Sequence, residues 1–512
     1  MFRKLIDFID GFLNRITMYR AVLYYLILLL AAAVIFSFFG LLHYSPAGIV
    51  SSLIIILIVS WITNKIFASV FKVPANAESL YITALILALI ITPMQTLLDL
   101  SALPTLLWAS ILAMASKYIL AINRKHLFNP AALAVALTAL VLNQPASWWI
   151  GNSLMMPLVL VGGLLLVRKI IRFDLVLSFL GVSLAVILAT GSGTSGIFST
   201  LNQALFHSPW LFFAFVMLTE PLTTPPTKSL RVAYGALTGF LFAPAIHLGS
   251  VYSTPELALL SANVFSYLVS PKRKYLLRLK EKKMIADDVY DFVFEPDQKL
   301  KFKPGQYLEW TLGNVSLDSR GNRRYFTVAS APEESDVRLG VKFYPHPSSF
   351  KKKLLDLKPG EEITAGSCAG DFVLPKDKNK KIVFLAGGIG ITPFRSMIGQ
   401  LLDRNEKRPI ILLYSNKTIE EIAYADILMK AEEKLDLRTI YTLTEPNQIP
   451  AGWPGLRSRL TAQTIIKTVP DYRERMFYVS GPRSFVAAME ETLREMDLRQ
   501  NQIKVDFFPG FA

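Results

Sequence analysis

The sequence predicts a multi-domain chain: a polytopic α-helical membrane bundle of about ten spans, then an antiparallel β-barrel, then an α/β domain. Three observations carry this. The 512 residues are 52% hydrophobic and 18% charged, where a soluble globular protein is about 25% charged. The charge is divided unevenly: residues 1–271 hold 14 Lys/Arg and 7 Asp/Glu, leaving 40 and 32 for residues 272–512. Apolar runs of spanning length fill the first part, whereas short strands, and then buried strands separated by helices, fill the second.

The formal net charge of +15 has no basic stripe with interleaved aromatics, which excludes nucleic acid as a partner. It is assigned instead to loops facing anionic lipid and the cytoplasm. Cys368 is the only cysteine. Within one chain this rules out a disulfide, a four-cysteine zinc site and a cysteine-held iron–sulfur cluster. No metal site is expected.

Residues 1–20 interleave Arg3, Lys4, Arg15 and Arg20 with Phe2, Leu5, Ile6, Ile9, Phe12, Leu13 and Ile16. That spacing predicts an amphipathic helix lying on the membrane surface. Ten apolar runs follow within 21–271, near 21–43, 48–70, 79–97, 100–121, 128–146, 152–169, 173–191, 209–225, 230–248 and 253–271. The eighth, interrupted by Glu220, Pro221, Pro225 and Pro226, is expected to be a broken helix. One alternate set of loops carries Lys65 and Lys72; Lys117, Arg124 and Lys125; Arg168, Lys169 and Arg172; and Lys228 and Arg231. The other set has no Lys or Arg. By the positive-inside rule both termini are cytoplasmic, in an inner or plasma membrane. Two places are chemically odd: Asn129-Pro130 at the entry to one run, and Thr219-Glu-Pro-Leu-Thr-Thr-Pro-Pro at the end of another. Broken helices of this kind line cavities and binding sites. His43, His126, His207 and His247 fall one to a run or loop, so paired haem ligands are not expected.

After the runs, Phe302-Lys-Pro-Gly-Gln-Tyr, Arg324-Tyr-Phe-Thr-Val-Ala-Ser, Gly340-Val-Lys-Phe-Tyr and Gly366-Ser-Cys-Ala-Gly-Asp-Phe read as short strands with Gly/Pro turns, over 272–376. From 377 to 512 the pattern changes. Ile382-Val-Phe-Leu-Ala is a buried strand and Gly387-Gly-Ile-Gly-Ile-Thr-Pro opens a helix. Ile410-Ile-Leu-Leu-Tyr, Arg438-Thr-Ile-Tyr and Met476-Phe-Tyr-Val-Ser are further strands of a parallel layout.

These motifs, in this order, resemble the ferredoxin–NADP reductase superfamily. The resemblance implies an FAD-binding barrel, an NAD(P)-binding α/β domain and NAD(P)H-dependent oxidoreductase activity. Arg324, Phe326, Thr327 and Ser330 match its flavin motif Arg-x-Tyr-Ser-x-x-Ser, Arg324 being implied to pair with pyrophosphate and Thr327 to bond the flavin edge. Phe326 replaces the usual Tyr and loses its hydroxyl. Gly366, Gly370 and Phe372 fall in the second flavin loop. Gly387, Gly388, Gly390, Thr392 and Pro393 match the nicotinamide-nucleotide loop, where glycine admits phosphate to the backbone and a helix N-terminus attracts its charge. Ser480, Gly481 and Pro482 match the family's Cys-Gly-Pro, with Ser480 in the catalytic position beside the nicotinamide. The terminal Asp506-Phe-Phe-Pro-Gly-Phe resembles the aromatic end that covers the flavin. Phe507, Phe508 and Phe511 are all open for that role, and Phe511 is assigned to it here. Lys417 is the one obvious cation for a 2′-phosphate, and the balance leans to NADH.

The bundle resembles the NqrB/RnfD membrane subunits through Glu78 to Pro93, Lys125-His-Leu-Phe-Asn-Pro-Ala and Leu218-Thr-Glu-Pro-Leu-Thr-Thr-Pro. Glu220 stands where that family has Asp. The family links FMN to Thr in a Ser-Gly-Ala-Thr loop. The corresponding loop here, Asn143 to Asn152, has no threonine, so phosphoester-linked FMN is not expected. A second, non-covalent flavin or a quinone in the bundle is compatible with the sequence. The expectation is a membrane flavin oxidoreductase passing electrons from NAD(P)H through FAD toward a second flavin, a quinone or an outer-face acceptor. A redox-driven ion pump or transporter using the same path is the alternative.

Overall fold

The computed structural model describes residues 2–13, 16–71, 77–96, 99, 101–123, 125–270, 273–313 and 322–506, except the side chains of 2–7, 192–195 and 367. These residues divide at Lys274/Tyr275 into two compact units.

The first unit is helical. It contains α1 (Phe2–Leu13), α2 (Met18–Phe38), α3 (Pro46–Val70), α4 (Ala77–Ile90) and α5 (Leu103–Ile119). A hairpin, β1 (Ala121–Ile122) and β2 (Lys125–His126), leads to α6 (Pro130–Leu142), α7 (Met156–Ile170), α8 (Phe173–Ser195) and α9 (Ile197–Phe206). Next come α10 (Trp210–Phe212), which runs into a π-helical turn at Phe213–Met217, and α11 (Lys228–Phe242). A second hairpin, β3 (His247–Leu248) and β4 (Val251–Tyr252), precedes α12 (Pro255–Val269).

The expectation of about ten spans is corrected here. Each run contains a helix, but only three stretches among the described residues are long and apolar enough to cross a membrane: Met18–Phe38, Pro46–Val70 and Phe173–Gly191. The others are shorter because turn chemistry interrupts the apolar runs. At 14 residues, α4 is about 21 Å long, against an apolar core of about 30 Å. Its last carbonyls do not face lipid. The Trp148 N–H donates to Ile90 O (2.8 Å), Ile150 N–H to Leu89 O (3.3 Å) and the Trp149 indole to Ala88 O (3.0 Å). A helix can stop at depth when protein satisfies its end. Elsewhere α6 starts at Asn129, whose side chain accepts the Ala132 N–H (3.0 Å), and stops at Asn143 in the left-handed region. Counting apolar residues cannot separate such half-helices from full spans.

Helices α8 and α11 approach closely. A Cβ at Gly235 would lie 2.6 Å from Leu175 O, and one at Gly239 2.7 Å from Phe179 O, as expected for small residues four apart in a lipid-facing helix pair. Arg231 and Asp174 close the same pair with an ion pair at 2.7 Å.

The second unit opens with β5 (Lys274–Ala286), β6 (Val289–Pro296), β7 (Tyr307–Thr311), β8 (Arg323–Thr327), β9 (Val337–Lys342), α13 (Ser349–Asp356) and β10 (Glu362–Ala369). The six strands form one sheet in the order β8-β7-β10-β5-β6-β9. Just past β8, the Ala329 N–H donates to Arg338 O on β9 (2.9 Å), so the two edges of the sheet meet around a core that includes Phe292, Phe294, Leu308 and Trp310. The α/β part follows: β11 (Ile382–Gly387), α14 (Thr392–Asp403), β12 (Ile410–Asn416), α15 (Ala425–Lys434), β13 (Leu437–Leu443), α16 (Ala462–Thr468), β14 (Met476–Ser480), α17 (Arg483–Glu495) and β15 (Ile503–Val505). Its parallel sheet has the order β13-β12-β11-β14-β15. In such a sheet, ligand sites lie at the carboxyl ends of the strands where strand order reverses.

Candidate functional site

Two of those carboxyl ends lie side by side. On β11 and β14, Ala386 is in register with Ser480. The glycine loop leaving β11 therefore packs on the Ser480-Gly481-Pro482 turn leaving β14. A Cβ at Gly390 would lie 2.4 Å from Gly481 Cα and from Ser480 O, so only glycine fits. Gly388 has φ +50°, and Thr392 and Pro393 start α14 directly after the loop. The helix N-terminus thus opens at the crevice, with backbone N–H groups able to meet phosphate.

From the barrel side, Thr327 ends β8 and its hydroxyl donates to Asp506 Oδ2 (3.3 Å). The Ser480 hydroxyl donates to the same oxygen (3.1 Å). One buried carboxylate thus ties a predicted flavin ligand to the predicted nicotinamide-side serine. Burial pushes the Asp506 carboxyl up to about 7, against the opposing pull of the Ser480 and Thr327 hydrogen bonds. The sequence reading named Asp506 within the terminal motif and gave it no role.

Arg324 is buried on β8, its guanidinium 5.2 Å from the Phe350 ring centre in the first turn of α13. Ser348 caps that helix, accepting the Lys351 N–H (3.2 Å). A fixed guanidinium beside a capped helix start suits a phosphate group. The Phe350 side was missed from sequence because nothing in His346-Pro-Ser-Ser-Phe-Lys marks it as adjacent to Arg324. Phe326 packs on Phe350 with ring centres 6.0 Å apart. The Ser330 hydroxyl accepts the Arg338 N–H (3.2 Å) and its carbonyl accepts the Ser396 hydroxyl (2.6 Å). Gly366 lies within β10 opposite Glu309. Gly370, at φ +118°, accepts the Gln306 side-chain amide (3.1 Å). Phe372 is in the core against Tyr478 and Phe394. Phe511, Phe507 and Phe508 lie outside the described residues.

A second missed feature locks the barrel to the α/β part. Arg338 pairs with Asp291 (2.5 Å) and Glu334 (3.3 Å). Glu334 also pairs with Arg395, and the Tyr424 hydroxyl donates to Asp291 Oδ1 (3.0 Å). The network holds the two halves of the crevice in register.

The helical unit has its own buried polar cluster. Glu220 Oε1 is 3.3 Å from His126 Nε2. Its Oε2 accepts the Asn129 side-chain amide (3.0 Å) and the Thr223 hydroxyl (3.0 Å). The Asn129 N–H donates to Asn263 Oδ1 (2.8 Å), and Asn263 Nδ2 donates to the Tyr234 oxygen (2.8 Å). The two places the sequence marked as odd therefore meet. No group of three or more His, Cys, Asp or Glu suited to a metal occurs among the described residues.

Comparison with known proteins agrees with this layout. Residues 276–373 match the oxidoreductase FAD-binding domain family and residues 384–491 the oxidoreductase NAD-binding domain family. Residues 276–491 are an FAD- and NAD-binding oxidoreductase module. Residues 150–274 match the NQR2, RnfD, RnfE family, which with the three long apolar helices marks the helical unit as a membrane domain. The reductase module is similar to a flavohemoprotein of Oceanobacillus iheyensis, 24% identical over 46% of this chain and 58% of that protein. It is also similar to a glycine betaine monooxygenase reductase subunit of Pseudomonas aeruginosa, 27% identical over 40% of this chain and 57% of that one. The chain thus spans somewhat over half the length of these curated relatives. Among solved structures, the Amycolatopsis cytochrome P450 reductase GcoB aligns over 46% of this chain and 70% of its own, at 24% identity and a TM-score of 0.41.

Proposed function

We propose that the chain is a membrane-bound flavin oxidoreductase that takes hydride from NAD(P)H onto FAD and passes electrons into the helical unit. The observation that carries this is the meeting of Thr327 and Ser480 on Asp506, where residues of the FAD-binding and NAD-binding domains share one buried acid. The residues present fit FAD: Arg324 and the start of α13 for its pyrophosphate, Thr327 for the ring edge. Bound there, FAD supplies the exchange between two-electron and one-electron chemistry. Gly387, Gly388 and Gly390 admit the dinucleotide phosphates, and Ser480 flanks the nicotinamide. Asp506 holds both hydroxyls in place, and a carboxyl titrating near neutrality can hold or release a proton there.

The turn after β12 supports NADH over NADPH. Glu421 accepts the Lys417 N–H (3.2 Å) and pairs with Lys342 (2.6 Å). An acid at this position suits a ribose 2′-hydroxyl and repels a 2′-phosphate. The reductase module and both termini are assigned to the cytoplasmic side by the loop charges, with α1 as an interfacial helix tied to α7 by the bidentate Arg168–Asp10 pair (2.7 and 2.9 Å). The acceptor is a second flavin, a quinone or an outer-face acceptor.

Detergent-purified protein should be yellow, with an FAD spectrum bleached anaerobically by NADH. Absence of flavin would overturn the proposal. A second reading, a redox-driven ion pump, is favoured by the buried Glu220–Asn129–Thr223 cluster. Turnover in sealed liposomes that depends on sodium and moves charge would support it.

A further inference from the structure

Tyr424 is held in a backbone conformation that its side chain disfavours. It stands at φ +58° just before α15, in the left-handed region that a bulky residue occupies only where its surroundings impose it. The turn leading into it is fixed to the barrel. The Asp287 N–H donates to Glu420 O (2.8 Å), and Lys342 pairs with Glu421 (2.6 Å). Tyr424 gives α15 no side-chain cap, so the helix gains nothing from this conformation. What it achieves is the placement of the ring. The buried side chain reaches the barrel, where its hydroxyl donates to Asp291 Oδ1 (3.0 Å).

Two contacts give that placement a consequence. Asp291 is in register with Gly340 on β9. A Cβ at Gly340 would lie 2.6 Å from the Tyr424 hydroxyl oxygen, 2.8 Å from Thr392 Cγ2 and 3.3 Å from Ile389 Cδ1. The bare backbone of Gly340 is therefore a shared seat for Tyr424 and for the end of the glycine loop after β11. On the ring side, the Arg395 guanidinium, in the first turn of α14, lies 5.8 Å from the Tyr424 ring centre and donates to Ala329 O (2.9 Å). Ala329 is two residues beyond Thr327, to which the flavin edge is assigned.

We propose that Tyr424 is a positioning residue for hydride transfer, fixing the separation between the glycine loop and Thr327. The proposal rests on the reductase reading above and deepens it. The step is NADH + FAD → NAD⁺ + FADH⁻: one C–H bond breaks and one N–H bond forms, and both electrons move with the hydride. Reacting atoms must stand about 3–3.5 Å apart, and a misplacement of about 1 Å can cost on the order of a hundredfold in rate. Tyr424 acts on that distance through Thr392 on one side and Arg395 on the other.

The test uses the full-length protein in detergent with FAD bound. Tyr424→Phe keeps the ring and removes the hydroxyl; Gly340→Ala puts a methyl into the seat. Anaerobic stopped-flow reduction of the flavin, with NADH and with NADH deuterated at C4, gives the limiting rate, the Kd for NADH and the isotope effect. Long-wavelength charge-transfer absorbance on adding NAD⁺ to photoreduced protein reports ring overlap without turnover. The limiting rate should fall about tenfold in both variants, with the isotope effect retained, the Kd and FAD content unchanged and the charge-transfer band weakened. A merely structural role predicts a lower melting temperature with rate and band unchanged at low temperature, and that result overturns the proposal. A raised Kd at an unchanged limiting rate also overturns it. If Gly340→Ala does not fold, Tyr424→Phe decides alone. Equal reduction of wild type and variants overturns the positioning role and leaves the reductase reading standing. Wild-type flavin that NADH does not reduce overturns the reductase reading and this proposal with it.

Discussion

The helical unit and the reductase module use charge in opposite ways. In the helical unit every described acid side chain has a fixed partner: Asp10 with Arg168, Glu78 with Arg20, Asp99 with Ser101, Asp174 with Arg231, Glu220 with His126 and Glu256 with the Trp148 indole. In the reductase module many ion pairs lie at the surface, such as Arg278–Glu362, whose side chains are 60% and 45% exposed. Water forgives an unpaired charge at a surface; the interior of a membrane bundle does not. A polar substitution in the first unit should therefore act on folding, and most in the second should act, if at all, on the crevice.

The largest effect is expected where the α8–α11 pair is closed. Arg231→Ala leaves the Asp174 carboxylate, only 12% exposed, without its partner and releases the Pro226 carbonyl that Arg231 also binds (3.0 Å). Breaking a buried pair in this way costs about 3–5 kcal/mol. Thermal unfolding in detergent should show the helical unit destabilised while NADH bleaching of the flavin survives at low temperature. An unchanged melting temperature would break the comparison at its strongest point.

Asp506 is the exception within the reductase module, a buried acid with two neutral partners. Its carboxyl titrates near 7 in the folded protein against about 3.9 in an unfolded chain. Between those values the folded state binds the extra proton, so stability is fully present below about pH 4 and declines as pH rises to about 7. Asp506→Asn removes that slope, leaving a difference of a few kcal/mol between wild type and variant at pH 8. Urea unfolding of the apoprotein at pH 5 and pH 8 measures it. Equal pH slopes would show that Asp506 is ionised at neutral pH.

How much of this was legible depends on sequence distance. The shape of the glycine loop after β11 could be read because Gly387 to Pro393 is one contiguous segment, with its steric demand written as glycine. The alternation of strands with turns marked the barrel, and the buried strands marked the parallel sheet. What escaped were contacts between distant positions. Thr327 and Asp506 are 179 residues apart, and Asn129 and Glu220 are 91 apart, and no local pattern announces either. The span count failed for a related reason. Hydropathy records that Ala77–Ile90 is apolar, but not that two tryptophans 58 and 59 positions after Ile90 close its end.

A smaller effect tests the glycine loop. Gly390→Ala puts a methyl where Gly481 Cα and Ser480 O lie at 2.4 Å, so the loop must shift. The KM for NADH should rise about tenfold, equivalent to about 1.4 kcal/mol, with FAD content unchanged. A proportionate loss of FAD instead would mean that the loop supports the barrel as well as the nucleotide.

The smallest effect completes the contrast. Arg278→Ala removes an ion pair at 3.1 Å that looks as well made as the Arg231 pair at 2.7 Å, so contact geometry alone would rank them together. Exposure separates them. Arg278 and Glu362 are both largely hydrated, their attraction is screened by solvent and salt, and ordering two long side chains costs entropy. The loss should be below about 1 kcal/mol, and smaller again at high salt. Flavin-monitored unfolding of the purified protein at low and high ionic strength measures it. A cost near that of Arg231→Ala would mean that partner geometry, and not the surrounding medium, sets the worth of an ion pair in this chain.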